Sequence, residues 1–510
     1  MCSAGLPGCV EFNASTVALR FEYLRTEPAV QEVDVWCNIP ADFWWPHLRD
    51  FLSDSWPSAR VIKSDDVGGW SSFGSGSFGK WGGDEFGLPR YTLAQPAPGK
   101  PLPKALDIAA LNGGHLHQVG NDRMVAMAMT DGSVQMRQDE GGKAATMHPS
   151  MSNLASIHVP ESCLRTGAKF LNSHSANLSH GQHGGAVGYL SEAGSLLLST
   201  VSANSSGAER IEMELGVGYF RKRLKARELT VEHTVVAPHG DHPFALIVVN
   251  VTNHASSPRK LKWVEVWGRL MRELIGARNA ISGHGSAGGP DEAKISAADF
   301  AQRITHRIRR TGAGDAAPGL LDEVVPPTGG PPKPPAGSLF PAASAHDYDP
   351  RPAFLRVIDG GSNPTRVGCD GRALFPDGAG VDRPDLASGL QCDESAILGP
   401  EALLALEMTV DVGASASAVR RLAFGYHPEG NSSGAAVPAS FVGQDAAAAA
   451  WPESSKLWRQ ESVTVSVPGQ DWLERETIWH SYALRAGLTH DSFWGGSVLQ
   501  QAGIRMITGI

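Results

Sequence analysis

The chain has 510 residues, of which 42% are hydrophobic and 19% charged, a balance that belongs to core-forming globular proteins and excludes a disordered one. Its length allows roughly 3 domains, and two large ones also fit. With 44 basic and 53 acidic residues the net charge is −9, which argues against a nucleic-acid partner because phosphate binding needs a concentrated cationic face.

The first residues, "MCSAGLPGCVEFNASTVALRF", lack a basic start and an uninterrupted apolar run, so no secretory signal is expected. No stretch approaches the ~18 consecutive apolar residues of a membrane span, so no membrane partner is expected either. The six cysteines (Cys2, Cys9, Cys37, Cys163, Cys369 and Cys392) are scattered and form no Cys-x-x-Cys pair. That spacing predicts neither a disulfide framework nor a zinc site, and the expected setting is a reducing cytoplasm.

In chain order, short alternating stretches such as "EVDVW" (32–36) give way to glycine-dominated "DDVGGWSSFGSGSFGKWGGDEFGLPRYTL" (65–93), which cannot hold a helix. In "DRMVAMAMTDGSVQMRQ" (122–138), Val125, Met127 and Met129 alternate with small residues, and Val134 and Met136 resume the alternation after Asp131-Gly132. That pattern predicts a hairpin. Strand-like runs continue through "SLLLSTVSA" (195–203), "RIEMELGVGYF" (210–220), "ELTVEHTVVA" (228–237), "FALIVVNVTN" (244–253) and "KLKWVEVWG" (260–268). Strands in series without helices between them predict a mainly β protein, an antiparallel sandwich or supersandwich.

The series breaks after residue 268. "LMRELIGARNAI" (270–281) and "DEAKISAADFAQRITHRIRR" (291–310) read as helical, and the proline-rich 317–343 reads as an excursion outside the core. Strand-like material returns in 353–360, 403–414 and 420–428. The expected organisation is a sandwich over 1–268, an insertion over 269–350, closing strands over 351–445, and a linker with one helix over 446–510. In 471–491 the apolar residues Trp472, Ile478, Trp479, Tyr482, Ala483, Ala486 and Leu488 follow helical spacing, and that broad face needs a partner.

Candidate chemistry is sparse. His115 and His117, and His174, His180 and His183, lie in glycine-rich loops without a carboxylate at ligand spacing, so neither a metal nor any other cofactor is expected. His233 shares a strand face with Leu229, Val231 and Val235, which reads as a core histidine; its functional version is an epimerase-like site shared with a carboxylate. Period two puts Leu261, Trp263, Glu265 and Trp267 on one face. Indole beside a carboxylate suits a sugar, and it equally suits a packed interface with one hydrogen-bonded glutamate. The basic run Arg221, Lys222, Arg223, Lys225 and Arg227 reads as a solvated strand. Trp81, Asp84, Glu85 and Tyr91 give the 78–91 loop the composition of a polar ligand mouth.

"WGGDEFGLPRY" (81–91), "HQVGNDRMVAMAMTDGSVQM" (117–136), "GYFRKRLKARELTVEHTVVAPHGDHP" (218–243) with "VTN" (251–253), and "WHSYALRAGLTHDSFWGGSVLQQ" (479–501) together resemble the cellobiose-phosphorylase-like proteins among the six-hairpin glycosidases. The resemblance implies an N-terminal β-supersandwich similar to galactose mutarotase, helical linkers, and an (α/α) barrel that carries catalysis on glucose-type oligosaccharides. It implies a sugar or oligosaccharide ligand, inorganic phosphate as co-substrate in a full-length relative, and a sandwich that shapes the sugar-binding mouth or a homodimer contact. Near the last residues Gln501 matches the family's barrel entrance, whereas Ala502, Arg505 and Ile507 stand where glycine and tyrosines are the pattern. The expectation is therefore a chain truncated at the start of the barrel, inactive alone, with no catalytic residue carried over. Trp81, Asp84, Asn121, Asp122 and Arg123, in the two motifs that most resemble the family, are the expected ligand contacts. An alternative for the last two is an Asp122–Arg123 ion pair that fixes the hairpin start.

Overall fold

The computed structural model describes residues 79–93, 116–129, 134–138, 169–170, 186–200, 208–269, 272–273, 305–311, 317–325, 352–360, 363–376, 383–393, 396–398, 401–427, 437–467, 470–486, 488–491 and 496–499, together with Ser75. β1 (Gly79–Gly83) and β2 (Pro89–Leu93) form a first hairpin. β3 (Leu116–Gly120), β4 (Met124–Met129) and β5 (Val134–Gln138) form a meander, which β6 (Lys169–Phe170) extends. Ala128 stands opposite Val134, as the hairpin reading requires, and the turn at Asp131-Gly132 lies outside the described residues.

β7 (Ala186–Glu192), β8 (Ser195–Ser199), β9 (Arg210–Gly216), β10 (Tyr219–Ala226), β11 (Leu229–Val236), β12 (Phe244–Asn253) and β13 (Arg259–Gly268) follow in series. Ala193 and Gly194 join β7 to β8 with φ of 50° and 80°, and Arg227 and Glu228 join β10 to β11 with 50° and 61°. Such turns match the twist of the strands they connect. Next come β14 (Arg272–Glu273), β15 (Thr305–Arg310), β16 (Gly319–Val325), β17 (Ala353–Val357), β18 (Arg366–Asp370), β19 (Ala396–Leu398), β20 (Ala402–Val412) and β21 (Ser417–Tyr426). The helices are α1 (Gly371–Leu374), α2 (Gln444–Glu461) and α3 (Asp471–Ala486), and β22 (Leu488–Asp491) pairs with β23 (Gly496–Leu499) beyond them.

Among the described residues, eleven strands make one sheet in the order β1-β2-β9-β10-β11-β12-β21-β17-β16-β15-β19, and β18-β20-β13-β7-β8 make a second. A third has the order β14-β6-β5-β4-β3. The first two stack face to face. Trp263 and Trp267 of β13 and Leu404, Leu406 and Met408 of β20 share one buried cluster with Val231 and Val235 of β11, Ile247 and Val249 of β12, and Phe424 of β21. Trp267 stacks on Phe424 with ring centroids 3.9 Å apart. Each such side chain contributes about 1.5–3 kcal/mol by leaving water. The fold is thus mainly β and an antiparallel sandwich, as the alternating runs predict.

Helices cover the outer faces. Leu374 and Phe375, at the end of α1, pack with Leu386 and Leu390 on Val187, Tyr189, Val264 and Val266 of the second sheet. On the large sheet, Ala447 and Ala450 of α2 pack on Tyr219, Val236, Leu246 and Phe354. α3 buries Ile478, Tyr482 and Ala486 against Leu88, Val217 and Trp458.

Five expectations change. Residues 305–310, read as helical, are the strand β15, and 319–325, read as an excursion outside the core, are β16 with Ile308, Leu320 and Leu321 buried. β15 pairs with β16 and β19, and β16 also with β17, and these pairings override the local helical spacing of 305–310. The alanine run 446–450, read as a linker, is helix, and α2 continues through Pro452. The apolar face of 472–488 has its partner in the sandwich itself, which α3 abuts through Leu88 and Val217. Finally, Cys369 and Cys392 form a disulfide with Cα atoms 5.0 Å apart, although sequence spacing predicted none. The two segments lie side by side, Cys369 N–H donating to Gln391 O at 3.1 Å. The other four cysteines lie outside the described residues. Among the described residues no helix is long and apolar enough to cross a membrane.

Candidate functional site

The outer face of the large sheet carries a ladder of charges. Period two puts Tyr219, Arg221 and Arg223 of β10 on one face, opposite Gly216, Glu214 and Glu212 of β9. Glu214 is fully buried and takes Arg90 Nη1 at 2.7 Å and Arg221 Nη1 at 3.1 Å. Arg221 also pairs with Glu85, and Arg223 with Glu212 and, at 2.6 Å, Glu232. The basic run is therefore solvated only in part, at the exposed Lys225 and Arg227. Arg221 is buried, and Lys222, pointing to the opposite face, is buried with its ammonium donating to Thr200 O.

At one end of this ladder the β1–β2 turn and α2 close over Tyr219. Asp84 organises the turn: its Oδ1 accepts from Phe86 N–H at 2.9 Å and Leu88 N–H at 2.8 Å, while Gly87 takes φ of 73°. That arrangement leaves Asp84 Oδ2 buried and without a hydrogen-bond partner among the described residues. Burial, reinforced by the neighbouring Glu85 carboxylate, pushes the Asp84 carboxyl up to about 6 against the pull of its backbone donors and Arg221. Below it, the Tyr219 hydroxyl is likewise buried and unpartnered. Burial and the charge of Asp84 hold its proton on well above the usual phenol range. Trp451 of α2 lies 5.2 Å from the Tyr219 ring and 5.4 Å from Phe86, and its Nε1 is a third buried atom with no partner. The Arg221 guanidinium sits over both the Tyr219 ring, at 5.3 Å, and the Trp451 ring, at 4.9 Å.

The cluster thus has a buried floor, Tyr219 and Arg221, and a half-buried rim of Asp84, Phe86 and Trp451. Two unpartnered donors, the phenol and the indole N–H, stand beside one unpartnered carboxylate oxygen. Buried polar atoms left unpaired cost about 1–3 kcal/mol each, so such a set is uncommon in a finished core.

Of the expected contacts, Asp84 alone belongs to this cluster. Trp81 packs edge-on against Tyr91 at 5.0 Å and Trp479 of α3 at 4.9 Å, with the Arg475 guanidinium 4.4 Å over its ring. Asn121 is fully buried: its Nδ2 donates to Pro238 O and His242 O, and its Oδ1 accepts from the N–H groups of Arg123 and Met124, all at 2.9 Å. Asp122 and Arg123 do not pair with each other. Asp122 is gripped by Arg485 of α3 at 2.7 and 2.8 Å, and Arg123 binds Asp241. These residues dock α3 and the 238–242 loop.

The other candidates resolve as core. His233 Nε2 lies 3.2 Å from both oxygens of Glu265, which also accept the indole N–H groups of Trp263 and Trp267 at 3.0 Å. All four are buried between the sheets and both Glu265 oxygens are filled, which is the arrangement of a core histidine–carboxylate pair. His117 Nε2 lies 2.9 Å from Gly216 O and its ring stacks on Trp479. His115, His174, His180 and His183 lie outside the described side chains. Tyr219, Arg221, Glu214 and Trp451 were not singled out as a site. The signal was the opposed alternation of Glu212 and Glu214 with Arg221 and Arg223 across a short turn, which predicts cross-strand ion pairs.

No family model matches the sequence, and no curated protein does. Among solved structures the chain is similar to one assigned as a kojibiose phosphorylase from the human microbiome, with 8% identity and a TM-score of 0.37 over 81% of this chain. It spans 43% of that protein's length. A galactose mutarotase related enzyme from Lactobacillus acidophilus matches with 6% identity and a TM-score of 0.26, over 61% of this chain and 97% of its own. An aldose epimerase homologue from C. elegans matches with 10% identity and a TM-score of 0.24, over 62% and 99%. None of these likenesses is strong enough to assign an activity.

Proposed function

We propose that this chain is the carbohydrate-binding, structural part of a glycoside phosphorylase or hydrolase acting on glucose-type oligosaccharides. The observation that carries the reading is the half-buried cluster where Asp84, Tyr219 and Trp451 hold hydrogen-bonding atoms of both signs without protein partners. Aromatic bodies with a few convergent polar groups are what sugar sites are made of. Support also comes from the placement of the motifs that resemble the cellobiose-phosphorylase-like proteins: Trp81 packs on Trp479, and Tyr482 accepts from Gly120 N–H at 3.0 Å. The segments behave as one assembly. The proposal assigns no catalytic residue; the indole and imidazole partners that fill Glu265 support a structural role for the His233–Glu265 pair over an epimerase site.

Thermal titration of the whole chain tests it. Cellobiose and longer gluco-oligosaccharides at millimolar concentration are expected to raise Tm as RT ln(1 + [L]/Kd). Absence of any shift with the whole series sinks the proposal.

A further inference from the structure

The outer-face cluster also speaks to which ligands it accepts, a question that rests on the carbohydrate reading above. Positive charge alone makes β10 look like an anion site. The guanidiniums around the cluster are nevertheless paired: Arg90 through Nη1 to Glu214, Arg221 to Glu214 and Glu85, Arg223 to Glu212 and Glu232, while Arg90 Nε is buried without a hydrogen-bond partner. Three cations face four carboxylates before Asp84 is added. Among the described residues an incoming phosphate would find these guanidiniums already paired with carboxylates, and competing for them would leave a buried group such as Glu214 uncompensated.

The unpartnered atoms have the opposite character. Tyr219 Oη and Trp451 Nε1 donate, and Asp84 Oδ2 accepts. A neutral hydroxyl uses both kinds, donating to the carboxylate oxygen while accepting from the phenol or indole, and two neighbouring hydroxyls engage all three atoms. Inorganic phosphate keeps a P–OH that could donate to Asp84, but it brings further negative charge to a cluster whose carboxylates already outnumber its guanidinium groups. We propose that Asp84, Tyr219 and Trp451 form a subsite for hydroxyl groups of a neutral sugar that excludes phosphate and other anions.

The experiment is a calorimetric titration of the whole chain with cellobiose, repeated in the presence of inorganic phosphate, on wild type, Tyr219→Phe and Asp84→Asn. Both variants keep the shape of the cluster, and neither removes a side-chain ion pair seen in the structure. Each is expected to weaken cellobiose binding about tenfold or more, as loss of a hydrogen bond to a buried or charged partner does. Phosphate is expected to leave the cellobiose titration of wild type unchanged. Unaltered affinity in both variants would place the sugar elsewhere and overturn the subsite while leaving the carbohydrate reading intact. Competition by phosphate in wild type that Tyr219→Phe abolishes would overturn the exclusion of anions. Absence of cellobiose binding to wild type would remove the subsite, and an equally silent series of longer oligosaccharides would remove the wider reading with it.

Discussion

Two clusters in this molecule use the same chemistry, a carboxylate beside indole and a further polar ring, and are finished differently. Between the sheets, Glu265 receives Trp263, Trp267 and His233, and each of its oxygens has two partners. On the outer face, Asp84 satisfies one oxygen with backbone N–H groups and leaves the other bare, beside an unpartnered phenol and an unpartnered indole. The contrast separates a carboxylate whose oxygens are both filled from one with an oxygen left open. Residue type does not make the distinction; how far the hydrogen bonds of the whole cluster are filled does.

The contrast breaks most visibly at Glu265. Glu265→Ala strands two indole N–H groups and an imidazole in the core, and is expected to destabilise by about 3–5 kcal/mol in urea unfolding. A loss under about 1 kcal/mol would mean that the inner cluster is not the structural one.

Asp84→Asn is expected to act in the other direction. The folded chain holds the Asp84 proton near pH 6, whereas the ordinary value is 3.8. Because the folded pKa is the higher, this group favours folding below about pH 4, and that contribution is lost as pH rises through 6. Asparagine cannot ionise and escapes the loss. The variant should therefore match wild type below pH 4 and exceed it by about 1–3 kcal/mol at pH 7.5, the range allowing for solvent screening of a half-buried group. Equal stability at both pH values would show that Asp84 is an ordinary turn residue.

A matched pair of substitutions gives the smallest and cleanest difference. Trp267→Phe removes an indole that donates to Glu265, and Trp451→Phe removes one that donates to nothing. Beyond the shared loss of ring area, the first should cost about 1–2 kcal/mol more in Tm-derived stability. Equal costs would erase the distinction drawn between the clusters.

Much of the sandwich was legible. The period-two runs between 195 and 268, and again from 403 to 428, became strands because each buries one face on a partner sheet, which alternation reports directly. Trp263, Glu265 and Trp267 were placed on one face correctly, and His233 was read as core. The strands at 305–310 and 319–325 pair with each other but are held in the sheet by β19 and β17, partners that no local window contains. The outer cluster was half legible. Asp84 stood out through its loop, but Tyr219, Arg221 and Trp451 join it only after β10 pairs with β9 and α2 crosses the sheet.

The seating of α3 has a consequence for how this chain is made. Tyr482 accepts from Gly120 N–H across 362 residues, and Trp479 lies on Trp81 at the rim of the large sheet. At synthesis rates of ~5–20 residues per second, the first hairpins emerge about 20–70 s before the helix that docks on them. Through that interval β1, an edge strand of the large sheet, must be kept from pairing with a neighbouring chain on the same ribosome string. The arrival of α3 then completes the packing around the first hairpin, and a pulse-labelled nascent chain should acquire protease resistance there when residues 471–486 clear the exit tunnel, not before.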